Sequence, residues 1–293
     1  MERLSTAGCY GALSDDELGS TSWFPWCVTA TKLSSYSGIW LSLIFIFYVF
    51  LNRFVFRRFL LDRLYGEHYS SLQPPKQRMF SLRHIGVVAR TLSLVLIIKP
   101  AVMVLFFNSR WTDSYFWSSS ITLGDMAFLS ASFTSAFHIF ELIFDDQLKP
   151  IIFAHHLGAI VMVQSFLPSA VNLPPTRVLE LNSTLAMSYV CLCWATIDAP
   201  IVITSYVVWI LQRSWVRSDT GLRKLYSSAF YVGASSTFFE ATAVIYFGAQ
   251  HWSQLSALQV LTISCLQVLF TLAKTKVCKH LRTGYRSLLG KSY

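Results

Sequence analysis

Apolar runs of about twenty residues recur along the whole chain, and that recurrence constrains the fold more than any other feature. A hydrocarbon layer about 30 Å thick takes roughly 20 residues of helix to cross, and every backbone polar group inside it must be bonded within the protein. Such runs begin near Ser34, Ile85, Ile121, Pro150, Val178, Leu225 and Leu255. They predict seven helical spans, over about 34–52, 85–107, 121–144, 150–167, 178–211, 225–249 and 255–277. Only 13% of the 293 residues are charged, against roughly 25% in soluble domains. The expected fold class is therefore all-α, a polytopic transmembrane helical bundle. One domain covers 34–277, with a lumenal N-terminal tail at 1–33 and a basic cytosolic tail at 278–293.

The formal net charge of +9 takes its meaning from its distribution. Arg53, Arg57, Arg58, Arg63, Lys76, Arg78 and Arg83 lie between the first two spans; Arg213, Arg217, Arg223 and Lys224 follow the fifth; Lys274 to Lys291 close the chain. Alternate connections thus collect the basic residues, which is the positive-inside pattern and not a nucleic-acid patch. The polar, acidic N-terminal stretch SDDELGS lacks a signal-peptide pattern, so the first span, near Gly38, is expected to act as the targeting signal. Pro200 is expected to kink the long fifth span. No C-x-x-C pair, zinc spacing, phosphate loop or dinucleotide fingerprint occurs, so neither cofactor nor metal is expected. Cys9 and Cys27 could pair if the N-terminal tail is lumenal. Asn182-Ser183-Thr184 is the single glycosylation sequon, at the lumenal rim.

The stretch FHIFELIFDDQLKPIIFAHHLGAI, residues 137–160, breaks the apolar rule. A titratable group in hydrocarbon costs roughly 2.5–3.5 kcal/mol on insertion scales, so several together call for a role. Thr134, His138, Glu141 and Asp145 are spaced four, three and four apart and share one helix face. The short link DDQLKP returns the chain as an antiparallel neighbour, which places His155 and His156 near the depth of Glu141. A carboxylate and an imidazole brought together there can share a proton. The same pairing also fits a polar clamp between helices. Asp198 and Glu240 are the other deep carboxylates, while Lys99 and Arg90 in the second span can snorkel or pair with acids.

These residues carry a resemblance. FELIF…PIIFAHHLGAI, followed by IDAPIVITSYVVWIL, resembles the TLC, or ceramide-synthase-like, membrane fold. The likeness covers the layout of about 85–277, with motif-level agreement over 137–160 and 195–211. The second His-Asp-x-x-Asp motif of ceramide synthases is missing, since SYVCLCWATIDAP supplies only Asp198. That departure weakens acyl-CoA transfer as the chemistry. The length, span number and deep acid-plus-histidine site also resemble the fungal membrane-bound terpene cyclases of ascofuranone and ascochlorin meroterpenoid pathways. The resemblance implies cyclisation of a farnesyl or farnesyl-epoxide chain in the endoplasmic-reticulum membrane. Its partners would be a lipophilic prenylated substrate and membrane lipids, with no nucleic acid. A neutral carboxylic acid in an apolar pocket suits that trigger, aromatic faces would hold the carbocation, and a neutral histidine could take the last proton. Glu141, His155, His156, Asp198 and Glu240 are the catalytic candidates, supported by His138 and Asp145. FDDQLK is not the D-D-x-x-D that holds Mg²⁺, which favours a metal-independent, proton-initiated route. The competing functions are a ceramide-synthase-like acyltransferase and a non-catalytic lipid-binding protein.

The charge pattern predicts a lumenal N-terminus and a cytosolic C-terminus. In sealed microsomes, protease should remove a C-terminal tag and spare an N-terminal one. The reverse result would refute this topology.

Overall fold

A computed structural model of the chain describes residues 31, 33, 36–107, 109–117, 119–172, 178–213 and 219–289, with the side chains of 166–185, 219 and 289 excluded. Cys9 and Cys27 lie outside the described residues, as does the side chain of Asn182. The architecture is all-helical: among the described residues no strand forms beyond a single bridge between Ser114 and Thr122. Helix α1 (Ser37–Phe50) runs through a π-helical stretch, Leu51–Leu60, into α2 (Leu61–Tyr65), and a short α3 (Glu67–Ser70) follows. Then come α4 (Pro74–Phe106), α5 (Leu123–Phe144), α6 (Pro150–Asn172), α7 (Val178–Arg213), α8 (Asp219–Gln250) and α9 (Ala257–Leu289).

Among the described residues five runs are long and apolar enough to cross a membrane: Ser37–Tyr65, Pro74–Phe106, Leu123–Phe144, Ala186–Arg213 and Ala257–Leu288. The chain is a helical membrane protein on that ground. The described part of α6 is a shorter apolar helix, Pro150–Ser165, and α8, rich in Ser, Thr and Gly, is not among the five.

Local signals explain several boundaries. Two prolines at the first helical positions start α4, eleven residues before its expected apolar run, because proline needs no N–H partner there. A capping box starts α5: the Asp125 N–H donates to Thr122 Oγ1 at 3.1 Å and the Thr122 N–H to Asp125 Oδ2 at 3.0 Å. Helix α7 continues unbroken through Pro200. Helix α9 runs on past the expected end of its span to Leu289, since Lys, Arg and Leu are good helix formers once outside the hydrocarbon.

Helix α4 packs against both α5 and α7, α7 against α8, α8 against α9, and α6 against α5 and α9. Tyr48, Phe80, Phe137 and Phe140 form the buried core of the α1–α4–α5 half; Met187, Trp194, Val244 and Phe270 form that of the other half. Ile39, Leu43 and Ile46 of α1, Phe238, Phe239 and Ile245 of α8, and Leu258, Leu261 and Val268 of α9 face outward. Apolar side chains on the outside are what a lipid solvent requires. Between α4 and α5 the contacts are small and polar: Ser130 Oγ donates to the Ser93 carbonyl at 2.8 Å, and Thr134 Oγ1 to Ser93 Oγ at 3.2 Å. Such residues let membrane helices approach closely and bond.

Gly86 marks a close approach of α4 to α7. A Cβ at this position would lie 2.3 Å from Tyr206 Cε2 and 2.9 Å from Phe137 Cζ. Gly86→Val is expected to lower stability by about 1–3 kcal/mol through overpacking, while Gly38→Val, whose Cβ would meet nothing within 4 Å, should leave it unchanged. Thermal unfolding of the purified variants checks both, and an unchanged Gly86→Val would show that the α4–α7 contact is loose.

Candidate functional site

Glu141 of α5 is fully buried, and three other helices supply its surroundings. From α4, Arg83 Nη1 donates to Glu141 Oε1 at 3.2 Å while Nη2 donates to Asp145 Oδ2 at 3.0 Å. From α7, the Tyr206 hydroxyl donates to Glu141 Oε1, and the Arg83 guanidinium lies over the Tyr206 ring, 4.7 Å from its centroid. From α6, His156 Nε2 stands 3.2 Å from Glu141 Oε2, off the line of a hydrogen bond. Asp145 also accepts the Gln147 N–H at 3.0 Å, which shapes the turn into α6. One guanidinium thus bridges two buried carboxylates. Removing a charge from water costs several kcal/mol, and only a partner with such geometry offsets it.

Beside this clamp three imidazoles meet. His138, one turn before Glu141 on α5, has its ring 4.1 Å from that of His156 and 5.8 Å from that of His155. His155 packs edge-on against Phe270 of α9 at 4.5 Å. Arg90 of α4 closes the group, with Nη2 3.0 Å from His138 Nε2 and its guanidinium over the Phe137 ring. Nitrogen atoms of the three histidines lie within 4.8 Å of one another. That spacing could hold a cation, but the Arg90 guanidinium against His138 opposes a divalent ion there.

A second buried cluster joins the last three helices. Lys274 of α9 is 3.0 Å from Asp198 Oδ1 of α7 and also donates to Glu240 Oε2 of α8. Nearby, Trp194 Nε1 donates to Gln267 Oε1 at 2.7 Å. Lys274 belongs to the basic run read from the sequence as cytosolic, yet only 4% of it is exposed. It sits one turn inside the end of the apolar run, where two acids from other helices hold it.

Both clusters open on one cavity of about 270 Å³. Its inner wall carries Glu141, His155, His156, Asp198, Arg90 and Lys274; its outer rim carries Gln147, Lys149, Lys276 and His280, all exposed. Ile152, Ile201, Val202 and Val277 supply the apolar walls between. Four of the five catalytic candidates therefore line a single space, drawn from α5, α6 and α7. Glu240 stands behind Lys274, and His138 behind His156. Asp145 lies at the rim side, occupied by Arg83. Among the described residues the phenol and indole rings on the wall are Tyr206 and Trp209, and each already has a guanidinium over it, Arg83 at 4.7 Å and Arg213 at 3.9 Å. No Phe, and no Tyr or Trp ring free of a guanidinium, lines the cavity among the described residues. Lys99 is exposed and donates to the Tyr115 carbonyl.

Arg83, Tyr206 and Lys274 are absent from the residues singled out by sequence. Arg83 lies two residues before the expected start of its span, and Lys274 three before the expected end of its own. A charge at a span boundary that also falls on the helix's inward face was the available signal for both. Nothing marks Tyr206 among 13 tyrosines.

Comparison of the chain with protein-family models, curated proteins and solved structures gives no match, so function is read from the site alone. The clamp makes a stability prediction. Arg83→Met strands two buried carboxylates and should cost about 3–5 kcal/mol; Tyr206→Phe removes one donor and should cost about 1–3 kcal/mol. Unfolding of purified variants measures both. A Tyr206→Phe loss as large as that of Arg83→Met would mean that the phenol, not the guanidinium, holds Glu141.

Proposed function

We propose that this chain is an integral membrane terpene cyclase, which closes rings in a prenylated substrate by proton transfer, on a seven-span TLC-like bundle in the endoplasmic-reticulum membrane. In this reading α6 and α8 complete the seven crossings. The observation that carries it is the single cavity that gathers Glu141, His155, His156 and Asp198 inside an apolar helical bundle.

Glu141 and His156 stand 3.2 Å apart, and a small turn of the imidazole would bring them into line to share one proton. That proton passes to a terminal alkene or epoxide oxygen of the substrate. Electrons of a neighbouring double bond close the ring, and the resulting cation loses a proton to His155, whose Nδ1 has no protein partner. One proton enters and one leaves, so the net change is an isomerisation. Arg83 and Tyr206 orient Glu141; they take no part in the transfer. Positive charge that develops in the cavity is met by the Glu141 and Asp198 carboxylates, since the two wall aromatics are already covered. Asp198 can play the same acid role from the opposite wall, with Lys274 and Glu240 behind it.

Glu141→Gln keeps shape and hydrogen bonding but cannot share the proton. Cyclisation of a farnesyl-type substrate in microsomes, at matched protein levels, should fall by about 10² or more. His155→Ala should lose turnover to a similar degree. Normal turnover by Glu141→Gln together with its loss in Asp198→Asn would move the acid to Asp198. Normal turnover in all three variants would end the cyclase reading.

A further inference from the structure

Among the described residues Arg90 is a buried cation with no carboxylate paired to it. It is 4% exposed, and among the described residues no acid lies within ion-pair distance of it. Glu141 and Asp198, the nearest acids on the cavity wall, are engaged by Arg83 and Lys274. Its Nε has no hydrogen-bond partner among the described residues, and neither have His155 Nδ1 and His156 Nδ1 beside it. A guanidinium in a membrane bundle normally faces an acid, a backbone carbonyl or a ligand. Among the described residues Arg90 has the ring of His138 and the face of Phe137, and it lines the cavity.

The cavity as a whole is cationic. Arg83, Arg90, Lys149, Lys274 and Lys276 line it against Glu141, Asp145 and Asp198. With Glu240 counted behind Lys274, the balance is still positive. Lys149 and Lys276 stand at the rim, where the cavity meets solvent; Arg90 stands at the floor; Ile152, Ile201, Val202 and Val277 lie between. Charge at the rim and floor with aliphatic walls suits an anion that carries hydrocarbon. The volume of about 270 Å³ is just under the roughly 300–1,000 Å³ of small-molecule pockets, enough for a head group and the first few carbons.

We propose that this cavity binds the acidic head group of a single-chain amphiphile, a carboxylate or phosphate, with Arg90 as its counter-charge and Lys149 and Lys276 guiding it in. The remaining chain leaves between helices toward lipid. This inference concerns binding alone and does not use the cyclisation reading, under which such a ligand would act as a competitive inhibitor.

The test uses the full chain in neutral phosphatidylcholine nanodiscs, with the thermal unfolding midpoint and ligand Kd as readouts. Dodecanoate, dodecyl phosphate, dodecanol and inorganic phosphate are compared. At least one anionic dodecyl ligand should raise the midpoint, while dodecanol should not. Arg90→Met should weaken that ligand by about tenfold or more, Arg90→Lys should retain most of the affinity, and Lys276→Gln, exposed and safe to fold, should weaken it by a smaller factor. Preference for dodecanoate or for dodecyl phosphate names the head group. Equal binding of dodecanol, or anion binding that survives both Arg90→Met and Lys276→Gln, overturns the assignment. Inorganic phosphate bound as tightly as dodecyl phosphate overturns the amphiphile. Stoichiometric Zn²⁺ bound by the wild type and lost in His155→Ala would instead make the three imidazoles a cation site and also overturn it. None of these readouts requires turnover, so failure here leaves the cyclase reading standing, and the converse holds.

Discussion

Charge that enters the bundle must be neutralised within it, and this constraint organises the structure. Glu141, Asp145, Asp198 and Glu240 are all buried, and a buried carboxylate needs a cation to offset its lost solvation. Arg83 meets the first two and Lys274 the last two. Each cation thereby becomes a bolt: Arg83 ties α4 to α5, and Lys274 ties α9 to α7 and α8. The hydrophobic effect gives little preference among helix pairings in lipid, because lipid is as apolar as another helix. Specific polar contacts therefore carry a large share of the choice of partner.

Close approach follows from the same need. The Tyr206 hydroxyl reaches Glu141 only if α7 lies hard against α4, and Gly86 removes the side chain that would prevent it. The serines of α4 and α5 serve the neighbouring contact in a similar way, replacing bulk with hydrogen bonds. The cavity is the space left where these tightly joined helices diverge toward the rim. It collects the reactive groups because the bolts that hold the bundle are themselves reactive groups.

That economy makes structure and chemistry hard to separate. Glu141 is both the centre of a four-helix clamp and the partner of His156. Asp198 is both a ligand of Lys274 and part of the cavity wall. The histidines differ: among the described residues, His155 and His156 have ring nitrogens with no hydrogen-bond partner, which costs stability unless something else fills the role. Arg90 differs in the same way. These unsatisfied groups, rather than the well-paired ones, are where a ligand is called for.

The sequence by itself determined the class and much of the cast. Apolar runs of membrane length dictated helices, because only a helix or a closed barrel satisfies the backbone in hydrocarbon. The four-three-four spacing of Thr134, His138, Glu141 and Asp145 fixed a shared face, and the short link to α6 brought His156 to Glu141. Those relations are local, set by helical periodicity and loop length. Where charge fell near a span boundary, periodicity was silent: Arg83 and Lys274 read as loop and tail residues although both are inward-facing. Which acid met which cation, and that Asp198 and Glu141 would share one cavity, depended on how α4, α7 and α9 packed. Only the tertiary structure decided that, because contacts between residues 58 or 76 apart rest on helix-to-helix approach distances that no single helix's sequence encodes.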